Sequence, residues 1–415
     1  MHGAAPSASQ DHDAARLARR GGAPELASAL CASRRDTLAT FAAYRAALAQ
    51  LRVPVLEHLN PPLWELGHIG WFQAWWISRN PALADGVHAD PELPRRAPAR
   101  AGADALYHSS RVPHDSRWSL PLPDAEATLD DLDAELAATL ALLACVDERA
   151  ADADARLYFF RLALLHEDMH HEAALYMAQA LDVPVADARW APRPLPAPPP
   201  PLRLDAGEWR LGGSGEGFAF DNELDAHVVV LGRTLIDAQA VRWAEYLPFV
   251  DDGGYHDPRW WDADGARWLR ESGALAPRYL RREAGGWQCR RHGRWLPLDP
   301  HVAACHLTLH EARAWCRWAG RRLPTEAEWE RAACTRGEVF RWGDVWEWTA
   351  SRFAPYPGFA PHPYRDYSAP WFDGRPVLRG ASFMTQPRMR HPRYRNYFPA
   401  HRADVPAGFR SCATL

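Results

Sequence analysis

The chain has 415 residues, 47% of them hydrophobic and 24% charged, with a formal net charge of −4. That length exceeds what one hydrophobic core usually serves, so two domains are expected, and the near-neutral balance removes any general attraction to nucleic acid or to an anionic membrane. Seven cysteines with no C-x-x-C pair argue for reduced thiols in a cytoplasmic protein, against a disulfide framework and against a structural zinc site.

Residues 1–22 are polar and end in glycine, and read as a flexible lead-in. No apolar signal region precedes residue 25, and no uncharged apolar run of about 18 residues appears anywhere, so no membrane span is expected. From Pro24 to Gln50 the apolar positions Leu26, Leu30, Leu38, Phe41 and Leu48 have amphipathic helical spacing. A second helix opens at Asn60-Pro61, a capping residue followed by proline. It places Trp64, His68, Trp71, Phe72 and Trp75 on one face. By itself His68 reads there as a hydrogen-bonded core histidine. Residues 80–123 are irregular and rich in Tyr, His and Trp around Tyr107–Trp118, which suggests an ordered functional loop. A third helix runs from about Asp124 to Glu148, acidic at its start.

The fourth helical stretch, Arg156 to Leu181, contains neither Gly nor Pro and is stopped by Asp182-Val183-Pro184. His166 and His170, four apart, lie on one face of it. That is a two-point metal grip, although a surface pair or a satisfied core pair has the same spacing. Four long helices with one extended crossover suggest a bundle able to hold a metal between facing helices.

His166-Glu167-Asp168-Met169-His170 also spells H-E-x-x-H, the zinc hydrolase motif in which the glutamate is the general base. The following His171 and Glu172 face elsewhere on a helix, so His68 is the better third ligand. Three neutral imidazoles leave adjacent positions open, which suits O₂ chemistry at Fe(II) as well as hydrolysis at zinc, and a soft thiolate or selenolate would complete the site.

Residues 191–201 carry seven prolines and read as a semi-rigid linker. Beyond it, residues 202–415 show short apolar runs, many Gly and Trp, and helical patterns only at Val241–Val250 and His310–Gly320. The Gly-rich Leu211–Gly217 stretch reads as turns rather than a phosphate loop. The fold class expected is therefore α+β multidomain: a helical metal-binding domain over 23–190, then an irregular domain over 202–415.

Two groups of motifs carry a family resemblance. Trp64-Glu65-Leu66-Gly67-His68-Ile69-Gly70-Trp71-Phe72 with His166-Glu167-x-x-His170 resembles the DinB-like metal domain of the ergothioneine-biosynthetic sulfoxide synthases. Residues Trp318–Glu330, Gly343–Thr349, Val377–Phe383 and Gly408–Ser411 are similar to the formylglycine-generating-enzyme-like (C-type-lectin-like) part of those enzymes. The resemblance implies a non-haem iron enzyme that uses O₂ to join a chalcogen to C2 of the imidazole of hercynine, the trimethylated betaine of histidine. It implies His68, His166 and His170 as iron ligands and a substrate cleft between the two domains. Asn396-Tyr397 occupies the place of an Asn-aromatic pair that contacts the betaine, where Tyr397 suits a quaternary ammonium. One branch takes a proton donor from a tyrosine of the second domain. Tyr356 and Tyr364 are the candidates here, His362 is a possible helper, and spacing does not choose between them.

Three departures bear on the donor. Met169 stands where the family usually has Gln, Phe398 where thiol-using members have Asp, and Arg117-Trp118-Ser119-Leu120-Pro121 replaces an Arg-rich segment that binds carboxylates. Fewer charged partners imply a less charged donor, as in the selenoneine synthase branch, which takes a selenosugar. Trp118 and Phe398 would then offer faces to a sugar ring. A sulfoxide synthase using a cysteine-type thiol is the alternative, a zinc hydrolase the second, and a non-enzymatic ligand-binding protein the third. Small molecules are the only partners expected.

Overall fold

The structure, a computed structural model, describes residues 8–215 and 217–414. Its first half is helical. Residues 1–7 lie outside the described residues, but the expectation of a flexible lead-in is corrected from Ala8 on, where α1 (Ala8–Arg20) forms. Alanine and arginine favour helix, and the last turn is anchored by a buried two-point ion pair from Arg19 to Glu223 at 2.7 and 2.9 Å. The partner lies some two hundred residues away, out of reach of local sequence reading.

The four expected helices follow as α2 (Ala23–Ala47), α3 (Pro62–Trp76), α5 (Ala125–Ala144) and α6 (Ala153–Ala180), with a short α4 (Ala103–Tyr107) in the crossover. Asp124 caps α5 by accepting from the Ala127 amide at 2.8 Å. The four long helices pack against one another pairwise. α3 and α6 are buried on most sides, and Trp64, Phe72, Phe159, Phe160, Leu164 and Leu165 form the centre. Each such fully buried side chain contributes about 1.5–3 kcal/mol, which is why α3 survives two helix-weakening glycines, Gly67 and Gly70.

The proline-rich segment is strapped down. Pro194 bridges to Val302, the Leu195 amide donates to the His301 carbonyl at 2.8 Å, and Gln239 donates to the Pro196 carbonyl at 3.0 Å.

The second half contains β1 (Leu202–Leu204), β2 (Gly207–Leu211), β3 (His227–Leu231), β4 (Thr234–Ile236), β5 (Leu280–Glu283), β6 (Gly286–Arg291) and β7 (Arg294–Pro297). It continues with β8 (Arg321–Arg322), β9 (Val345–Arg352), β10 (Pro376–Ala381), β11 (Asn396–Tyr397), β12 (Ala407–Gly408) and β13 (Cys412–Ala413). They pair in the orders β1-β4-β13-β8, β11-β10-β9-β12, β2-β3 and β5-β6-β7. The expected helices appear as α7 (Trp243–Asp251) and α9 (Leu309–Trp318), joined by α8 (Ala263–Ser272) and α10 (Glu326–Thr335). α8 and α10 correct the expectation of only two helices here; α10 starts at a reciprocal capping box between Thr325 and Glu328. Trp329, Trp346 and Trp348 are buried in the core.

α6 joins the halves. Glu172 accepts from Trp346 Nε1, Ser382 Oγ and Thr385 Oγ1 at 2.7, 2.8 and 2.7 Å. One helical turn earlier, Asp168 pairs with Arg388 at 2.8 and 2.9 Å. The helix that carries two of the histidines is thus also bonded directly to the second half. Among the described residues no helix is long and apolar enough to cross a membrane.

Candidate metal centre and its cleft

His68 on α3 and His166 and His170 on α6 bring one ring nitrogen each to within 4.8 Å of one another. Two of the three are held by their other nitrogen. His68 Nδ1 lies 2.8 Å from the Tyr107 carbonyl; a carbonyl only accepts, so Nδ1 carries the proton and Nε2 is left as a ligand atom. His170 Nδ1 lies 2.5 Å from Glu65 Oε2, which fixes the same tautomer. Gly67 makes the first contact possible, because a Cβ there would come within 2.3 Å of the Tyr107 ring. His166 is held by stacking, its ring 3.5 Å from that of Phe72 and 2° from parallel.

Burial, reinforced by His170 nearby, pushes His68 down to about 3 and His166 well below the ordinary imidazole value. Both are therefore neutral at pH 7, the form that binds metal. Burial alone would raise Glu65, but His170 beside it holds the carboxyl below its usual range. Three convergent imidazoles, two of them oriented by hydrogen bonds, fit a borderline divalent ion with open positions.

Glu65 is itself supported. Asn60 Nδ2 donates to its Oε1 at 2.6 Å, and Arg117 Nη1 donates to Asn60 Oδ1 at 2.8 Å. The Arg117 guanidinium also lies 3.8 Å above the Trp64 ring, which stacks on His68 at 4.8 Å. One cation thus reaches two of the three histidines. Glu167, by contrast, is buried in an ion pair with Arg34 at 2.9 and 3.1 Å. It has no freedom to act as a base toward the centre, which removes the H-E-x-x-H reading.

A cavity of about 590 Å³ opens beside His166 and His170, walled by residues of both halves. Of the residues expected from sequence, Arg117, Met169, Tyr364 and Tyr397 line it. The Tyr364 ring is 6.3 Å from that of His166, and burial pushes its hydroxyl well above the ordinary phenol value. Met169 receives a contact from the Tyr394 hydroxyl at 3.4 Å. Tyr397 stacks on Phe353 at 4.0 Å and donates to the Tyr367 carbonyl.

Five expected residues are placed elsewhere. Tyr356 is buried against Leu211 and Ala327 and donates to Glu326 at 3.3 Å, so it is corrected from proton-donor candidate to core residue. Trp118 turns away to donate to the Val53 carbonyl at 2.9 Å and packs beside His114. Phe398 sits behind the wall, edge-on to Tyr176 at 6.5 Å and under Arg402. Asn396 does not line the cavity; its Oδ1 accepts from the Tyr397 amide at 2.9 Å. His362 bonds to Tyr158 at 3.0 Å rather than facing the cleft.

Sequence reading missed Glu65, Asn60, Tyr176, Asp366, Tyr367 and Trp371, the last four of which line the cavity. Tyr176 had a signal, since His166, Met169, His170, Ala173 and Tyr176 follow helical spacing down one stripe of α6.

Fold and site define a two-part protein: a helical half that presents three histidines to a cleft closed by an irregular α+β half. Residues 190–344 of the latter match the sulfatase-modifying factor enzyme 1-like domain. Hercynine oxygenase of Mycolicibacterium smegmatis is 32% identical over 416 residues, covering 85% of this chain and 90% of that one. The hercynine oxygenase of Mycobacterium tuberculosis is 30% identical with the same coverages, 85% and 90%. The formylglycine-generating enzyme of Streptomyces coelicolor is 30% identical but covers 40% of this chain and 58% of its own. The chain belongs to the hercynine oxygenase family.

Proposed function

We propose that the protein is an Fe(II)- and O₂-dependent enzyme that joins selenium to C2 of the hercynine imidazole, with a selenosugar as donor. The balance is hercynine C2–H plus R–SeH plus O₂, giving hercynine C2–Se(=O)–R plus H₂O. Carbon–selenium bond formation and oxidation of selenium to the selenoxide each release two electrons, and O₂ takes all four. His68, His166 and His170 would hold the ferrous ion, which would supply the electrons that activate O₂.

The observation that carries this reading is the charge of the cleft wall. Arg117 is the one Arg or Lys among its lining residues, and it is already engaged with Asn60 and Trp64. It serves one carboxylate, the one hercynine has, and leaves no cation for a peptide thiol with two more. The trimethylammonium end of hercynine is matched by Tyr176, Tyr367, Tyr397 and Trp371, with Asp366 at the rim. Tyr364, whose ring stands 6.3 Å from that of His166 in the cavity wall, is the proton donor of the scheme.

The deciding experiment loads the protein with iron anaerobically, then offers hercynine, O₂ and either a selenosugar or a cysteine-type thiol. Selenium-containing product formed one-to-one with O₂ consumed is expected. Efficient turnover of the thiol alone would overturn the selenium reading in favour of a sulfoxide synthase.

A further inference from the structure

Beside the cleft lies a second cavity of about 340 Å³, within the size range of small-ligand sites. The two share Ser109, Ser110, Tyr364 and Asp366 as walls, so one partition separates them. The Ser110 hydroxyl, from the crossover loop of the helical half, donates to the Asp366 carboxylate of the second half. At the outer rim Arg365 pairs with Glu92 at 3.2 Å, again across the halves. The inner wall includes Phe72, the ring stacked on His166. A ligand here would lie one aromatic ring from a metal-binding histidine.

We infer that this aromatic-walled cavity binds the sugar ring of the donor, whose selenium reaches the metal side past the Ser110–Asp366 partition. The inference rests on the proposed function for the identity of the donor. Its own support is chemical. Trp71, Phe72, Trp75 and Trp76 line the cavity, and indole and phenyl faces are suited to the C–H surface of a pyranose. Charges in the wall cancel, with Arg111 and Arg365 against Glu92 and Asp366. His108 adds no charge at pH 7, because burial lowers its value. A neutral wall rich in hydroxyl-bonding groups selects an uncharged polyol over a dicarboxylate. One group also lacks a partner: His108 Nδ1 is buried without a hydrogen bond, its ring held 5.0 Å from Trp71 and 5.2 Å from Trp75. A buried polar atom without a partner is costly, and a modest shift toward a sugar hydroxyl would satisfy it.

The test uses the full-length, iron-loaded protein. Trp75→Ala, which alters a partly exposed wall residue, is expected to raise KM for the selenosugar at least ten-fold while KM for hercynine stays within two-fold. His108→Phe keeps the ring packing and removes the nitrogens; a several-fold rise for the donor only is expected, which guards against a folding defect in the first variant. Unchanged donor KM in both, or equal rises for donor and hercynine, would overturn the assignment. Methyl β-glucopyranoside, which has no selenium, separates this inference from the reaction itself. Saturable quenching of tryptophan fluorescence by it in the wild type, lost in Trp75→Ala, upholds the sugar site even if only a thiol is turned over. No saturable quenching in the wild type overturns the site even if the selenosugar is turned over.

Discussion

Glu65 accepts a 2.5 Å hydrogen bond from His170 across the helix interface, while standing three residues before His68 on α3. The carboxylate therefore orients a histidine of α6 from the helix that carries the third histidine. Glu65→Gln removes the charge and keeps the size. Metal affinity is expected to fall about 10–100-fold, read by competition with a coloured chelator under anaerobic conditions. Affinity equal to the wild type would mean that packing alone aims His170.

Arg117 reaches the centre through Asn60 and Glu65 on one side and through Trp64 on the other. Arg117→Met fills most of the volume without the charge or the fork. The expected result is a rise in KM for hercynine of about ten-fold, the loss of one charge-assisted contact, together with a smaller drop in metal affinity. Steady-state kinetics and the chelator competition read the two effects separately.

Tyr364 and Tyr356 were equivalent by spacing and are not equivalent in the structure. Tyr364→Phe is expected to lower kcat about 10²–10⁴-fold, the usual range for losing a positioned proton donor, with hercynine still bound. Tyr356→Phe loses only its bond to Glu326 and is expected to leave kcat within about two-fold while lowering stability by about 1 kcal/mol. The opposite ranking of kcat values would restore Tyr356 as the donor.

Glu311 is buried at the start of α9, where it bonds to the Tyr255 hydroxyl and to Thr308. Burial outweighs these bonds and raises its carboxyl from 4.5 to about 7. The folded protein thus keeps a proton there that the unfolded chain has released, so this group's contribution is complete below pH 4.5 and is lost as pH rises through 7. Relative to Glu311→Gln, the wild type is expected to lose on the order of 3 kcal/mol between those limits. Urea unfolding of both proteins at pH 5 and pH 8 measures it; a constant difference would show that the carboxyl titrates normally.

The helical half was legible because its signals are local. Four of its five longer helices carry periodic apolar faces, and the His166–Tyr176 stripe lies on one of them. The β half was legible only as a texture, since β8, β11, β12 and β13 are two residues each and owe their existence to distant partners such as Cys412 opposite Ile236. Trp118 shows the same limit inside the site. Its type suited a binding wall, but the turn at Asp115–Ser119 sends it toward Val53. His68, read alone as a core histidine, is indeed buried and hydrogen-bonded; what composition could not convey is that its free nitrogen meets two others.

The contacts of α6 bear on any attempt to build chimeras. Asp168 and Glu172 bracket His170 in sequence; Glu172 is bonded by Trp346, Ser382 and Thr385 of the second half, and Asp168 pairs with Arg388 of that half while accepting from Ser33 of the bundle. A bundle excised from this chain, or grafted to a relative's second half without those four residues, would leave Glu172 stripped of its donors and Asp168 without its ion pair, held by Ser33. Transplanting substrate preference between family members therefore requires moving this seam together with the cleft wall.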